Sequence, residues 1–205
     1  ESHVDHSISC PSETYFNNVY ETAMFLEEIK DFYLSDSCNQ EDFQFLQIST
    51  DEVYGSADQN QRPFIETDNL NPQNPYSASK AACEHMIHAF GNTYGIPFKI
   101  SRCSNNFGPY QSLEKFIPTV IKSFLKRQKV PIYGDGLHIR DWLYVDDHVE
   151  ALISILNLCE NKICLNIGAN NEITNREIVR KIATVFDEFQ PIKSGNYLEL
   201  INLVQ

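Results

Sequence analysis

Six cysteines stand in this 205-residue chain without one CxxC pair, and no apolar run approaches the span of a bilayer. The cysteines (Cys10, Cys38, Cys83, Cys103, Cys159 and Cys164) are scattered, so they read as buried or free thiols of a reducing compartment. Crossing a membrane takes about 20 consecutive apolar residues. Their absence, with no signal-peptide pattern at the start, predicts a cytoplasmic protein with no membrane partner. Positive charge is scarce too: 16 Lys and Arg face 28 Asp and Glu, a net charge of −12. Phosphate backbones are held by clustered cations, so no nucleic-acid partner is expected. Metal-ligand spacing is loose. His3 and His6 form HxxH, and Glu84, His85 and His88 share an expected helix. Patterns this short arise by chance and read as surface or packing histidines, so no metal is expected.

What is present suits a globular chain: 42% hydrophobic and 21% charged residues, enough at this length for one domain or a domain plus a small lobe. Apolar positions at Tyr15, Val19, Ala23, Leu26 and Ile29 keep helical spacing across 12–34. The stretch FQFLQIST (43–50) is short, apolar and aromatic-rich, and predicts a strand buried on both faces. Residues 55–75 are rich in Asn, Gln, Asp and Pro and predict a long loop, of a length usually kept for function. Asn74 as N-cap and Pro75 then open a helix over 76–94, closed by Gly95. A strand at 96–103, a turn-rich SNNFGPYQ and a helix over 114–127 follow. Next come a strand stub and turn at PIYGDG, a helix over 145–156 with Asp146 as N-cap, a strand at 163–168 and an amphipathic helix over 173–189. Strands alternating with helices of this length predict an α/β fold with a parallel sheet.

Chemistry concentrates in two stretches. ISTDEVYG (48–55) runs a strand into a hydroxyl, Thr50, and then two adjacent carboxylates, Asp51 and Glu52. Alone, that pair reads as a solvated turn. PYSASK places Tyr76 and Lys80 four apart, on one face of a helix. A phenol is a weak base at neutral pH, and a neighbouring ammonium favours its phenolate, so Lys80 is expected to lower the pKa of Tyr76. Thr50 supplies a second hydroxyl to align the same ligand group.

Together STDEVYG, NPYSASKAACE, RCSNNFGPYQ and PIYGDGLHIRDWLYVDDH resemble the extended short-chain dehydrogenase/reductase family. Within it the chain is most similar to the nucleotide-sugar 4,6-dehydratases, those of dTDP-glucose above all. The likeness runs from ESHVDHSI, similar to the family's AESHVDRSI, to about Phe189. It implies a Rossmann-like, doubly wound parallel sheet with a small substrate-binding lobe, NAD as cofactor and a nucleotide-sugar substrate, dTDP-glucose or UDP-glucose. In such enzymes Tyr76 is the base that helps oxidise the sugar at C4, Lys80 holds the nicotinamide ribose, and Thr50 orients the C4 oxygen. Glu52 then removes the C5 proton while Asp51 protonates the departing C6 hydroxyl. Crowded carboxylates have their pKa values driven apart, as a water elimination requires. Similar 4-epimerases carry small or hydroxyl residues in place of the acidic pair, and the decarboxylases of the family keep the Glu with Ser in place of the Asp. The resemblance further implies Asn105 near the nicotinamide and Asn106, Lys115, Arg140 and Asn166 around the substrate. His3, with Ser2, falls near the nicotinamide end of the substrate site. A homodimer through the helices at 12–34 and 76–94 is also implied.

The likeness has gaps. Family members open on a strand and a GxxGxxG turn whose amides hold the NAD pyrophosphate. The eight glycines here never fall in that spacing. Residues 1–110 are therefore expected to be the carboxy-terminal half of a Rossmann domain, with the first four strands missing, and 111–205 mainly the substrate lobe with returning Rossmann elements. The strand at 43–50 is expected to have an unpaired edge. The tail QPIKSGNYLELINLVQ departs from the family's RPGHDRRY-like segment. A chain that starts at Glu1 is expected to be a piece of a working dehydratase; the alternative is a catalytically silent form that pairs with full-length subunits.

Overall fold

A computed structural model describes residues 1–57, 62–158 and 160–204. Cys159 and the middle of the expected 55–75 loop, residues 58–61, lie outside the described residues. The chain is α/β and divides into two compact units, Glu1–Ser104 with Val149–Ile167, and Asn105–His148 with Gly168–Gln205.

The first unit is built on three parallel strands, β1 (Phe45–Thr50), β2 (Phe98–Cys103) and β6 (Ile163–Ile167), in the order β1-β2-β6. Thr50 pairs with Cys103, and Cys103 with Ile167, so the three strand ends are in register. The central strand β2 is buried along its whole length. Its two charged residues therefore need partners. Lys99 Nζ donates to Gln44 Oε1 (2.8 Å) and to the Leu156 carbonyl (2.7 Å), and Arg102 pairs with Glu84. β1 is half-buried, with Ile48 47% exposed, which corrects the expectation of a strand buried on both faces. It is an edge strand among the described residues, paired on one side to β2.

Helical segments α1 (Val4–Ser9), α2 (Pro11–Tyr15) and α3 (Glu21–Tyr33) precede the sheet. The single helix expected over 12–34 is interrupted by a π segment, Phe16–Tyr20. There the inward Asn18 donates to Ser79 Oγ (2.9 Å), and its carbonyl accepts from Cys83 Sγ (3.0 Å). Helix α4 (Pro75–Tyr94) follows its sequence signals closely. Asn74 caps it in a reciprocal box with Ser77, Pro75 takes the first position, and Gly95 ends it at φ 76°, where a Cβ would be strained. Leu26 and Ile29 of α3 meet Ile87 of α4 and Phe98 and Ile100 of β2 in one core.

In the second unit β3 (Asn105–Phe107) pairs parallel to β5 (Ile139–Tyr144), which pairs antiparallel to β7 (Glu172–Thr174). These three strands were not expected from sequence; two of them are only three residues long. Helix α5 (Phe116–Leu125) packs with α7 (Asn175–Phe189), whose Thr174 cap and Glu177 form a capping box. β4 (Val130–Tyr133) pairs parallel to β8 (Ile201–Val204) of the tail. Tyr197, fully buried, packs on Phe124 and Phe186 and donates its hydroxyl to the Gln190 carbonyl (3.1 Å). Helix α6 (Val145–Leu158) contributes residues to both units. It starts one residue before Asp146, which lies in the first turn rather than at the expected N-cap.

Candidate active site

β1 delivers Thr50 to the mouth of a 3-10 turn, Asp51–Tyr54. The Thr50 hydroxyl accepts from the Glu52 amide (3.3 Å) and so caps the turn. The residue order D-E-V-Y then divides by burial. Val53 and Tyr54 are buried, while Asp51 is exposed and Glu52 half-exposed. Two apolar anchors thus hold a rigid turn that presents two carboxylates. Gly55 closes it at φ 87°, and a Cβ there would meet the Asn71 carbonyl at 2.4 Å. Asn71 in turn donates its amide to the Val53 carbonyl (2.9 Å).

The amino end of α4 approaches the same turn. Asn74 Nδ2 donates to Glu52 Oε2 (3.2 Å), and Tyr76, two residues on, is half-buried and hydrogen-bonded to Thr50. Burial, and then the negative charge of Glu52, push the Tyr76 phenol above its ordinary range; the Thr50 hydrogen bond opposes them. That direction is the reverse of the one expected from Lys80. Lys80 does share the helix face, but Nζ donates to the Ile48 carbonyl (2.7 Å) rather than to the phenol, and burial lowers its own pKa. Thr50, Glu52, Tyr76 and Asn74 therefore form one constellation, with Asp51 beside it and Lys80 anchored to the strand that carries it.

Beneath the turn lies a buried polar network. Arg102 grips Glu84 through Nε and Nη2, the latter at 2.7 Å, and its Nη1 donates to the Tyr54 hydroxyl (2.6 Å). Tyr54 donates to Asn166 Oδ1 (2.7 Å) and stacks on Phe64 at 4.9 Å. Burial works against the charge on Arg102, but Glu84 and Tyr54 outweigh it and hold the guanidinium above its ordinary value. Burial likewise raises the Tyr54 phenol, against Arg102 and Asn166. Asn166, expected at the nucleotide, is hydrogen-bonded within this unit: Nδ2 donates to the Phe64 carbonyl (3.2 Å) and its backbone N–H to Glu66 Oε1 (2.9 Å). Glu84, Arg102 and Tyr54 stood inside the quoted motifs without an assigned part, and Asn74 was read as a cap alone.

The remaining expected site residues are placed as follows. His3 caps α1, its Nδ1 accepting from the His6 amide (3.4 Å). Asn105 and Asn106 lie in β3 opposite Trp142 and Leu143 of β5. Lys115 occupies the N-cap position of α5, and Arg140, exposed on β5, bonds the Ile139 carbonyl (3.1 Å). Asn105, Asn106, Lys115 and Arg140 all belong to the second unit. Of the histidines weighed as metal ligands, His88 stands edge-on to Phe98. A group the sequence reading missed is His6, Cys10 and Glu13, whose ligand atoms lie within 4.8 Å of one another, with His6 Nε2 3.6 Å from Glu13. Among the described residues no helix is long and apolar enough to cross a membrane.

Set beside known proteins, the chain matches the family model described as GDP-mannose 4,6 dehydratase over residues 1–196, and it belongs to that family. Among curated relatives, the dTDP-glucose 4,6-dehydratase of Xanthomonas campestris is 43% identical over 196 residues, 95% of this chain and 56% of the relative. The solved dTDP-glucose 4,6-dehydratase DesIV of Streptomyces venezuelae, with NAD bound, superposes with a TM-score of 0.85 at 34% identity, covering 100% of this chain and 58% of its own. The UDP-glucose 4-epimerase of Thermus thermophilus, in complex with NAD, gives a TM-score of 0.80 at 27% identity, covering 90% of this chain and 58% of its own. The chain thus spans a little over half the length of these proteins. The family match ends at residue 196, close to Phe189, where the sequence likeness was expected to fade, while the DesIV fold covers the whole chain.

Proposed function

We propose that this chain carries the catalytic residues of an NAD-dependent nucleotide-sugar 4,6-dehydratase, a lyase whose substrate is dTDP-glucose. The supporting observation is the convergence of a capped carboxylate turn with the Tyr76 end of α4, joined by the Thr50–Tyr76 and Asn74–Glu52 hydrogen bonds. NAD, when bound, supplies hydride acceptance at C4 of the sugar, hydride return at C6, and a positive ring that favours the Tyr76 phenolate. A phenol held above its ordinary range by burial and by Glu52 fits such a group, because it needs an added cation to act as a base. Tyr76 and Lys80 are the residues that would hold the nicotinamide end, with Asn105; no glycine-rich turn for the pyrophosphate occurs in this sequence.

Tyr76 takes the proton of the C4 hydroxyl, and Thr50 aligns that oxygen. With C4 a ketone, the C5 proton is acidic and Glu52 removes it. Asp51 gives a proton to the C6 hydroxyl, which leaves as water, and the protonated Glu52, open to exchange with solvent, returns a proton to C5. Lys115 and Arg140 are assigned to the substrate diphosphate, where guanidinium geometry favours phosphate, and His3, Asn106 and Asn166 to its surroundings. Residues 1–110 then serve as the carboxy-terminal half of the dinucleotide domain and 111–205 mainly as the substrate lobe.

A homodimer forms through the helices at 12–34 and 76–94. The support is a shallow apolar hollow of about 600 Å³ lined by Tyr15, Phe16, Val19, Tyr20, Ala23 and Ala82, with Phe16 and Tyr20 each 54% exposed.

Glu52→Gln tests the assignment. With dTDP-glucose, turnover falls about 10²–10⁴-fold, the scale of a lost general base, while the first reduction of NAD+ persists. Turnover unchanged by E52Q contradicts the reading, and a preference for UDP-glucose corrects the nucleotide.

A further inference from the structure

We propose that Asn74 is a positioning residue for the elimination step, holding the Glu52 carboxylate against the amino end of α4 while it caps that helix; this rests on the dehydratase reading above. The two ends of its side chain do different work. Oδ1 accepts from the Ser77 amide (2.8 Å), which is the cap, and Nδ2 donates to Glu52 Oε2 (3.2 Å). A cap needs only an acceptor, and Ser, Asp and Asn serve almost equally well. Of these three only Asn also carries N–H donors. The residue type is therefore explained by the second contact and not by the first.

The chemistry explains why the contact matters. Glu52 sits in a rigid turn, but its own side chain has free torsions, and its charge acts on Tyr76, two residues beyond Asn74. A base that must reach one C–H bond loses rate when its carboxylate wanders. A neutral N–H donor fixes an ionised carboxylate in place without neutralising it, whereas a cation in that position would weaken the base. The Asn74 contact uses Oε2 alone, so the donor sets the direction of the carboxylate through one oxygen. Asn74 is itself fixed on both sides, because its backbone N–H donates to Ser77 Oγ (3.2 Å) and its carbonyl accepts from Ala78 (2.9 Å).

The test is a thermal double-mutant cycle on the full chain, with a kinetic arm. In N74D a carboxylate faces Glu52, and the unfolding midpoint falls by roughly 2–4 °C although the cap is kept. Adding E52Q restores the midpoint, because the Gln amide donates to the new carboxylate. N74S, which keeps the cap but gives up the bond to Glu52, falls less than N74D because it brings no second carboxylate. Effects of N74D and E52Q that simply add would overturn the proposal and leave Asn74 as a cap alone. In the kinetic arm, N74S slows exchange of the C5 proton about tenfold more than it slows NAD+ reduction, the scale of one hydrogen bond to a charged group; equal losses in the two steps count against it. If wild type binds NAD+ yet reduces none of it with either nucleotide sugar, the dehydratase reading falls on its own. The thermal cycle still decides whether Asn74 holds Glu52.

Discussion

Arg102 and Glu84 show how single residues support the turn that carries the carboxylates. Both side chains are almost fully buried, at 6% and 2% exposure, and are tied at 2.7 Å. Desolvating two charges offsets much of their attraction, so the pair contributes little net stability, yet removing one partner strands the other. Arg102→Met is therefore expected to cost about 3–5 kcal/mol in urea unfolding, with Glu84 left unpaired; a loss under 1 kcal/mol would mean the pair is wetter than it looks. None of this network was legible in sequence, because its members stand 18, 48 and 112 residues apart and follow no periodic pattern. Thr50, Asp51, Glu52 and Tyr76 could be picked out because each sits in a short ordered motif. A second residue-scale effect depends on pH. Arg62, then the Ile65 amide, hold Asp68 at a pKa of about 2, below its ordinary value. A depressed carboxylate contributes stability above its unfolded pKa of about 3.9 and loses it as pH falls towards the folded value. The Arg62–Asp68 tie should thus be intact at pH 5 and lost between about pH 4 and pH 2. Asp68→Asn should remove that component from an acid titration of the loop, followed by amide NMR.

Among the elements, α4 was the one best read in advance, since Asn74, Pro75 and Gly95 are local signals whose physics needs no distant partner. Gly95 has open space around it, so Gly95→Ala isolates backbone strain from packing. It should destabilise by about 1–2 kcal/mol, the cost of a Cβ in the left-handed region, seen as a lower urea midpoint at unchanged slope; a neutral result would show that the helix end relaxes. Elements set by long-range pairing were read poorly. β3 and β7 are three residues each and owe their existence to β5, while β8 forms because β4 offers it an edge. The π segment at Phe16–Tyr20 was hidden for a similar reason: it places Asn18 against Ser79, a partner 61 residues away. β1 was expected to be covered on both faces because composition records apolarity but not how many neighbours a strand has; among the described residues β2 is its partner in the sheet order.

At the scale of the whole molecule, the chain spans a little over half of its relatives, and the turn bearing Asp51 and Glu52 and the Tyr76 end of α4 fall in one unit. The parallel sheet and the family were legible because the motifs follow strand ends in order; the first compact unit breaks off at Ser104, where a short strand, β3, begins the second. Solved neighbours include 4-epimerases as well as dehydratases, so fold alone does not choose the reaction. The choice rests on the paired carboxylates. The measurement that tests it most directly is mass spectrometry of the product formed in deuterium oxide by the full-length protein with NAD+ and dTDP-glucose. The account predicts a product that has lost one water and carries one solvent deuteron at C5. A product of unchanged mass without deuterium, an epimer at C4, would contradict it.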